Sequence, residues 1–384
     1  MSISSFRHMF QLAEGVTYLN HAYMSPLPYQ VEQAGIEGLK VKKEPWKITP
    51  AHFFEGALRV RKKFGQLING LPERVAIIPS ASYGLMAACN NIDPQKGDHG
   101  IVVAEEFPSG YYALEAWCQK NEKDLITVSA PQDVENRGSL WNERILNAIN
   151  PKTAAIVLSS VHWTDGTKFD LEAISKKCKE CEALLIVDGS QSIGAMPYDQ
   201  EIIHADALIC AGYKWLMGPY SSGLAYYGPA FDEGQPLEVS WLNKEGAIHF
   251  HQLTSYTPHF DSAAARYNVG EYSHFIHMPM IEAALDLLLE WTPAQIQQHG
   301  IQLSHHLESL LNKTDFKIEK ISQRAGHIVG IRLPEQADID GVLMALRESN
   351  IYVSRRGSSL RASFHLYNDL DDVNRLCNVL NARI

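Results

Sequence analysis

Asp170-Leu-Glu-Ala-Ile-Ser-Lys-Lys-Cys-Lys-Glu-Cys-Glu-Ala-Leu-Leu-Ile-Val-Asp188 changes its hydrophobic period once. The first part opens on a capping Asp and sets Leu171, Ile174, Cys178 and Cys181 three or four apart, the spacing of one helix face. The second, Leu184-Leu-Ile-Val187, is a short unbroken apolar run, as in a strand buried on both faces. A helix that feeds such a strand is one crossover of a parallel sheet. The same rhythm runs outward from about residue 75 to 230, and it predicts strands at Val75–Pro79, Ile101–Ala104, Leu125–Val128, Ala154–Ser159, Leu184–Asp188, Ala207–Cys210 and Gly223–Tyr227. Helices fill the gaps. The fold class is therefore α/β, a mostly parallel central sheet covered by helices.

Beyond about residue 275 the pattern lengthens into helices at Met278–Trp291 and Pro293–Leu311, strands near His327–Leu333 and Leu360–Leu366, and a last helix at Leu370–Leu380. We expect a large domain over residues 20–265 and a smaller α+β domain made of residues 1–19 and 266–384. No repeat, low-complexity tract or long linker interrupts the chain.

Composition narrows the function classes. The 384 residues are 45 % apolar and 20 % charged, ordinary for a globular chain and ample for a large core. Lys plus Arg total 34 against 44 Asp plus Glu, a net charge of −10, so nothing suggests a nucleic-acid partner. Six cysteines, several inside apolar runs, are too sparse for a disulfide framework and fit a reducing cytoplasm. Residues 1–8 lack the apolar core of an export signal, and no window approaches a membrane span.

Ligands of open α/β sheets gather beyond the carboxyl ends of the strands, so polar residues just after an apolar run are read first. Four such places occur in order. After Ile77-Ile-Pro79 come Ser80-Ala-Ser82, small residues opening a helix whose free N–H groups suit a phosphate; an ordinary Ser cap is the plain alternative. Phe107 follows the second strand, where it could equally be a core residue. Asp188 closes Leu184-Leu-Ile-Val187 and, if buried, needs a cationic or donor partner. Lys214, in Ala207-Leu-Ile-Cys-Ala-Gly-Tyr-Lys-Trp-Leu-Met-Gly218, sits among apolar and aromatic neighbours, where desolvation lowers its pKa toward a nucleophilic amine. Phosphate cradle, aromatic plate, carboxylate and apolar-set lysine are the parts of a pyridoxal-phosphate site.

Taken with Thr17-Tyr-Leu-Asn-His-Ala22, Glu106-Phe-Pro-Ser109, Val187-Asp-Gly-Ser-Gln-Ser-Ile-Gly194 and Leu360-Arg-Ala-Ser-Phe-His-Leu-Tyr-Asn368, the chain resembles the class V aminotransferases, fold-type I pyridoxal-phosphate enzymes that include cysteine desulfurases, kynureninases and isopenicillin N epimerase-like proteins. The resemblance covers nearly the whole chain. It implies that Lys214 is the Schiff-base lysine and moves the proton at the α-carbon of an amino-acid substrate, while Asp188 pairs with the pyridinium nitrogen. Gln191 would donate to the ring oxygen and Phe107 would stack on the ring, where desulfurases usually place His. Ala81 and Ser82 would hold the phosphate, with the Tyr213 phenol as a further donor because position 211 is Ala. Arg361 would take the substrate α-carboxylate. Trp163 lies where relatives put a residue near the cofactor, and Asn20 and His21 lie in a segment lining the substrate side. The family's loop to the partner subunit's phosphate looks like Ala265-Arg-Tyr-Asn-Val-Gly270, with Glu271 where relatives carry Thr and Ser273 as its stand-in. A homodimer and the cofactor pyridoxal 5′-phosphate are what the resemblance implies.

Persulfide transfer is disfavoured, because Val353-Ser-Arg-Arg-Gly-Ser-Ser-Leu360 carries no cysteine ahead of Arg361. Cys178 and Cys181 have no second pair at metal spacing, and HExxH, GxGxxG and GxxxxGK are absent, so no metal, nicotinamide or NTP site is expected. The expected activity is class V aminotransferase. A kynureninase-like or C–S lyase reaction and an amino-acid epimerase stay open, as does, more remotely, a binding protein that kept the fold and lost the chemistry.

Overall fold

The computed structural model describes residues 6–261, 263–311 and 315–383. Residues 1–5, part of the segment read for an export signal, lie outside the described residues. A two-residue strand, β1 (Thr17–Tyr18), precedes the central sheet, whose strands are β2 (Val75–Ile78), β3 (His99–Val103), β4 (Asp124–Val128), β5 (Thr153–Ser159), β6 (Leu184–Asp188), β7 (Ala207–Ala211) and β8 (Gly223–Tyr227). These are the seven strands expected from the apolar runs, with bounds within one or two residues. Helices connect the parallel strands; Leu171–Glu180 begins at Asp170, whose carboxylate accepts the Ala173 N–H as the sequence predicts.

The sheet order is β2-β8-β7-β6-β5-β3-β4. From β4 to β7 every pairing is parallel, while β8 runs antiparallel between β7 and β2. The carboxyl ends of β2, β3, β5, β6 and β7 therefore lie along one edge, together with the start of β8. Strands β2, β3, β5, β7 and β8 are buried at every position, which explains their continuous apolar sequence. Gly194, at φ 100°, lies under Trp215: an added Cβ would come within 2.3 Å of the Trp215 carbonyl.

The C-terminal part holds β9 (Ile328–Arg332), β10 (Ile351–Tyr352), β11 (Ser354–Arg356) and β12 (Ser359–Ser363), with helices at Pro293–Leu311, Ile339–Glu348 and Leu370–Asn381. Strands β11-β12-β9 form an antiparallel sheet, and β10 pairs in parallel with β1, tying residues 17–18 to this part. Leu19, Leu303, Val329, Leu346, Leu360 and Leu376 share its apolar core. The helix His277–Trp291 packs instead on Tyr29–Lys40 and Glu55–Ile68, and its Met278, Ile281 and Leu288 join the core under the central sheet. Among the described residues, no helix is long and apolar enough to cross a membrane.

Candidate active site

The strand ends converge on a cavity of about 290 Å³. It is lined by residues from four strand ends: Ala81 and Ser82 after β2, Phe107 after β3, Asp188 closing β6, and Tyr213 and Lys214 after β7. Its remaining wall is Tyr220-Ser-Ser222, the turn into β8.

Each side chain is held by local chemistry. Ser80 caps the helix Ala81–Cys89 by accepting the Tyr83 N–H at 3.2 Å, so the plain reading holds for Ser80 itself. The N–H groups of Ala81 and Ser82 still head that helix toward the cavity, where its dipole favours an anion. The Ser82 hydroxyl lies 2.8 Å from that of Ser109. At the end of β3, Glu105 takes left-handed backbone (φ 57°) and turns Glu106 inward. The buried Glu106 carboxylate accepts the N–H of Phe107 at 2.8 Å and that of Ser159 at 2.8 Å, which sets the Phe107 ring at the cavity wall. One Asp188 carboxylate oxygen accepts the Ser190 N–H at 2.9 Å, and the Ser190 hydroxyl accepts the Ala211 N–H at 2.9 Å, locking the ends of β6 and β7 together.

Lys214 is 7 % exposed, with Nζ 5.1 Å from the Phe107 ring centroid and 5.7 Å from that of Tyr213. Burial lowers its pKa to about 8; Asp188 pulls it back up, while Arg361 and Arg356 push it further down. A free amine is thus accessible near neutrality. The Tyr213 ring packs on Tyr220 at 4.7 Å, and its carbonyl accepts both the N–H and the hydroxyl of Ser25, drawing the segment after Asn20 over the β7 turn.

Trp163 stands edge-on to Phe107, centroids 5.5 Å apart, and donates its indole N–H to the Glu105 carbonyl at 2.7 Å. Its own carbonyl accepts Nη1 of Arg361 at 2.6 Å. Arg361 is 1 % exposed, and its Nε and Nη2 have no hydrogen-bond partner. Burial, with Arg356 nearby, lowers its pKa to about 9. A fully buried fork with two idle donors is built to receive a planar anion. Asn20 is held beside it: its Oδ1 accepts the hydroxyl of Ser354, which faces Arg361 across β11 and β12.

His21 and Gln191 do not line the cavity. His21 is fully buried, its ring 4.4 Å from Trp215 on one side and 4.4 Å from His365 on the other. The Gln191 carbonyl accepts the Trp215 indole N–H at 2.9 Å, and its amide donates to the Ala22 carbonyl at 3.1 Å, leaving one amide proton uncommitted. The stretch read as a loop to a partner runs along β2 of its own chain: the Asn268 side chain accepts the Ile77 N–H, and the Val269 N–H donates to the Ile77 carbonyl. Ser273 lies in a separate cavity beside Gly38 and Phe275. Sequence reading assigned no site role to Glu106, Ser190 or Arg356, although each stood in a quoted run. Glu106 stood in the quoted run beside Phe107, and its signal was an acidic residue directly after a buried apolar strand.

The set fits pyridoxal phosphate: a helix start for the phosphate, a carboxylate and an amine across one cavity, an aromatic wall, and an orphaned buried guanidinium for a carboxylate. Comparison with known proteins agrees. The aminotransferase class-V family model matches residues 49–376. The uncharacterized aminotransferase YcbU of Bacillus subtilis (strain 168) is 23 % identical over 98 % of this chain and 97 % of its own. The kynureninase of Shouchella clausii (strain KSM-K16) is 25 % identical over 98 % of this chain and 90 % of its own. A solved structure of a C-DES variant with glycine covalently linked to its PLP cofactor superposes with a TM-score of 0.85 at 21 % identity, covering 97 % of this chain and 98 % of the other. That likeness establishes the fold as fold-type I.

Proposed function

The chain belongs to the class V aminotransferase family of pyridoxal-phosphate enzymes, and from that premise we propose that it transaminates an amino acid at Lys214. The observation that carries this reading is the buried lysine with a depressed pKa, set across one cavity from Asp188 and against Phe107.

Pyridoxal phosphate, when bound, supplies an aldehyde for the amine and an electron-drawing ring that weakens the substrate's Cα–H bond. Ala81 and Ser82 would hold the phosphate through the helix N-terminus, with the Tyr213 phenol as a further donor. Asp188 keeps a proton on the ring nitrogen, which a buried carboxylate fixed by Ser190 is suited to do. Phe107 gives a π-face for the ring. Arg361 takes the α-carboxylate on Nε and Nη2 and fixes which substituent faces Lys214, with Asn20 and Trp163 steadying that corner. The Lys214 amine, unprotonated in a good fraction of molecules near pH 8, would be the base that takes the α-proton.

A hydrolytic or lyase outcome is the second reading, favoured by the kynureninase relative that spans nearly the whole chain. Persulfide transfer is not part of it: all six cysteines are buried, and none lies in 353–360. Six free thiols also support a cytoplasmic setting. We further propose a homodimer, supported by the exposed aromatic rings of Tyr220 at the cavity and of Tyr23 and Tyr112.

The deciding experiment is a visible spectrum of the holoprotein, alone and with cysteine, kynurenine and alanine. A yellow band that converts to the amine form with release of a keto acid supports transamination. Release of alanine or pyruvate without conversion replaces it with the second reading. A protein that takes up no pyridoxal phosphate, or a Lys214→Ala variant that still holds it covalently, overturns both.

A further inference from the structure

Beside Trp163 lies a second cavity of about 680 Å³ lined by four arginines, Arg137, Arg332, Arg355 and Arg356. Two of the four are paired. Arg137 pairs with Asp165 at 2.9 Å and with Glu105, and Arg355 pairs with Asp340 at 2.8 Å. Among the described residues, Arg332 and Arg356 are not, and Arg356 is the one set over the Trp163 ring. Among the described residues no carboxylate lies within ion-pair distance of it, its Nη1 donates only to the Arg355 carbonyl at 2.7 Å, and its buried Nε has no partner. Its guanidinium carbon stands 5.2 Å from the Trp163 ring centroid, a half-buried stacking position that holds the fork in place.

Trp163 therefore carries one arginine on its ring and another on its carbonyl. Ser354 faces Arg361 in the strand register, and Arg356 is two residues further along β11, so it presents its side chain on the same face. The displacement along the strand is about 7 Å. Arg356 and Arg361 repel each other and both act on Lys214, so three cations crowd one corner. Asp188 offsets them only at Lys214. One α-carboxylate satisfies Arg361 and leaves Arg356 idle.

We propose that Arg356 receives a second carboxylate, and that the substrate is an amino acid whose side chain ends in one. The side chain runs from the cofactor cavity along the Trp163 ring to the Arg356 fork, while Arg361 holds the α-carboxylate. The inference rests on the role given to Arg361 under the proposed function.

The test is calorimetric titration of the holoprotein with glutarate and succinate against butyrate, acids that lack an amino group and so bind without reacting. Glutarate or succinate is expected to bind at least about tenfold more tightly than butyrate, a difference of about 1.4 kcal/mol. Arg356→Gln is expected to bring the diacids to the level of butyrate and to leave butyrate unchanged; Arg356→Lys, which keeps the charge, is expected to retain part of the preference. Equal binding of diacid and monoacid by the unaltered protein overturns the proposal, as does an equal loss for both in Arg356→Gln. Failure of the underlying reading has a separate signature: butyrate binding that survives Arg361→Gln removes the role given to Arg361.

Discussion

Lys214 shows at one residue how function and stability oppose each other. Its pKa falls from 10.5 in the open chain to about 8 in the fold, chiefly through burial. Between those values the unfolded chain binds the extra proton, so stability rises with pH across that window and the full penalty is present below it. At pH 7 the cofactor-free fold carries a charged, desolvated amine whose cost is on the order of 3 kcal/mol. Lys214→Met should therefore stabilise the cofactor-free protein by about that amount at pH 7 and by little at pH 10.5; denaturant midpoints at the two values measure it, and an equal or lower midpoint at pH 7 refutes the account. The lysine was readable because a lone cation in an apolar, aromatic run has few structural uses. His21 and Gln191 read just as clearly as motif residues, yet His21 lies in an aromatic stack and Gln191 spends its carbonyl on Trp215. Motif spacing gives a residue's neighbourhood along the chain, whereas the direction of its side chain depends on partners far away in sequence.

The strands were legible because a parallel sheet covered on both faces demands unbroken apolar runs, and each run ends where the buried layer ends. The same logic found the polar residue after each strand, and Ala81, Ser82, Phe107, Asp188, Tyr213 and Lys214 line one cavity as a result. The segments 41–53, 229–261 and 263–267, whose regular elements are short 3₁₀ turns, have no such period, and no element was read in them. The β3 end was half read. Phe107 was noticed for its ring, but its position is set by Glu106, which accepts the Phe107 N–H, the Ser159 N–H and the Ser159 hydroxyl. Glu106→Ala would leave three donors at the β3–β5 seam without an acceptor, each worth about 1–3 kcal/mol when buried. We expect a loss of about 3 kcal/mol or more in equilibrium unfolding, and a smaller loss in Glu106→Gln, which keeps one carbonyl acceptor. A Glu106→Ala protein as stable as the parent would mean that these bonds contribute little.

At the scale of the molecule, the central sheet meets the C-terminal part through a buried column of rings. Trp215 stacks on His21, His21 stacks on His365 with planes 8° apart, and His327 meets Trp215 edge-on at 4.4 Å. His299 donates to or accepts from nothing at Nδ1, and its Nε2 lies 2.9 Å from the Asn368 carbonyl; both ring nitrogens of His365 are without a partner. Burial keeps all four histidines neutral, lowering His21 to about 3 and His327 to about 4, and His299 and His365 in the same direction. In the unfolded chain each titrates near 6.5. As pH falls below 6.5 the unfolded state gains protons that the folded state refuses, so the stability contributed by these neutral rings is whole above 6.5 and drains away toward 4 and 3. Each histidine adds up to about 1.4 kcal/mol per pH unit to that slope. His162, whose pKa is raised by Asp165 against the opposing effect of burial, works in the opposite sense above 6.5 and does not mask the acid limb. Buried Glu319, raised to about 7, and Glu106, also raised by burial, take up protons in the fold over the same range and oppose the histidines, so the histidine contribution is read as a difference between variants. His365→Phe keeps a ring in the stack, removes one titrating group and breaks no hydrogen bond, so it should flatten the slope by up to one proton. A slope unchanged in that variant would mean that the column takes up protons without coming apart.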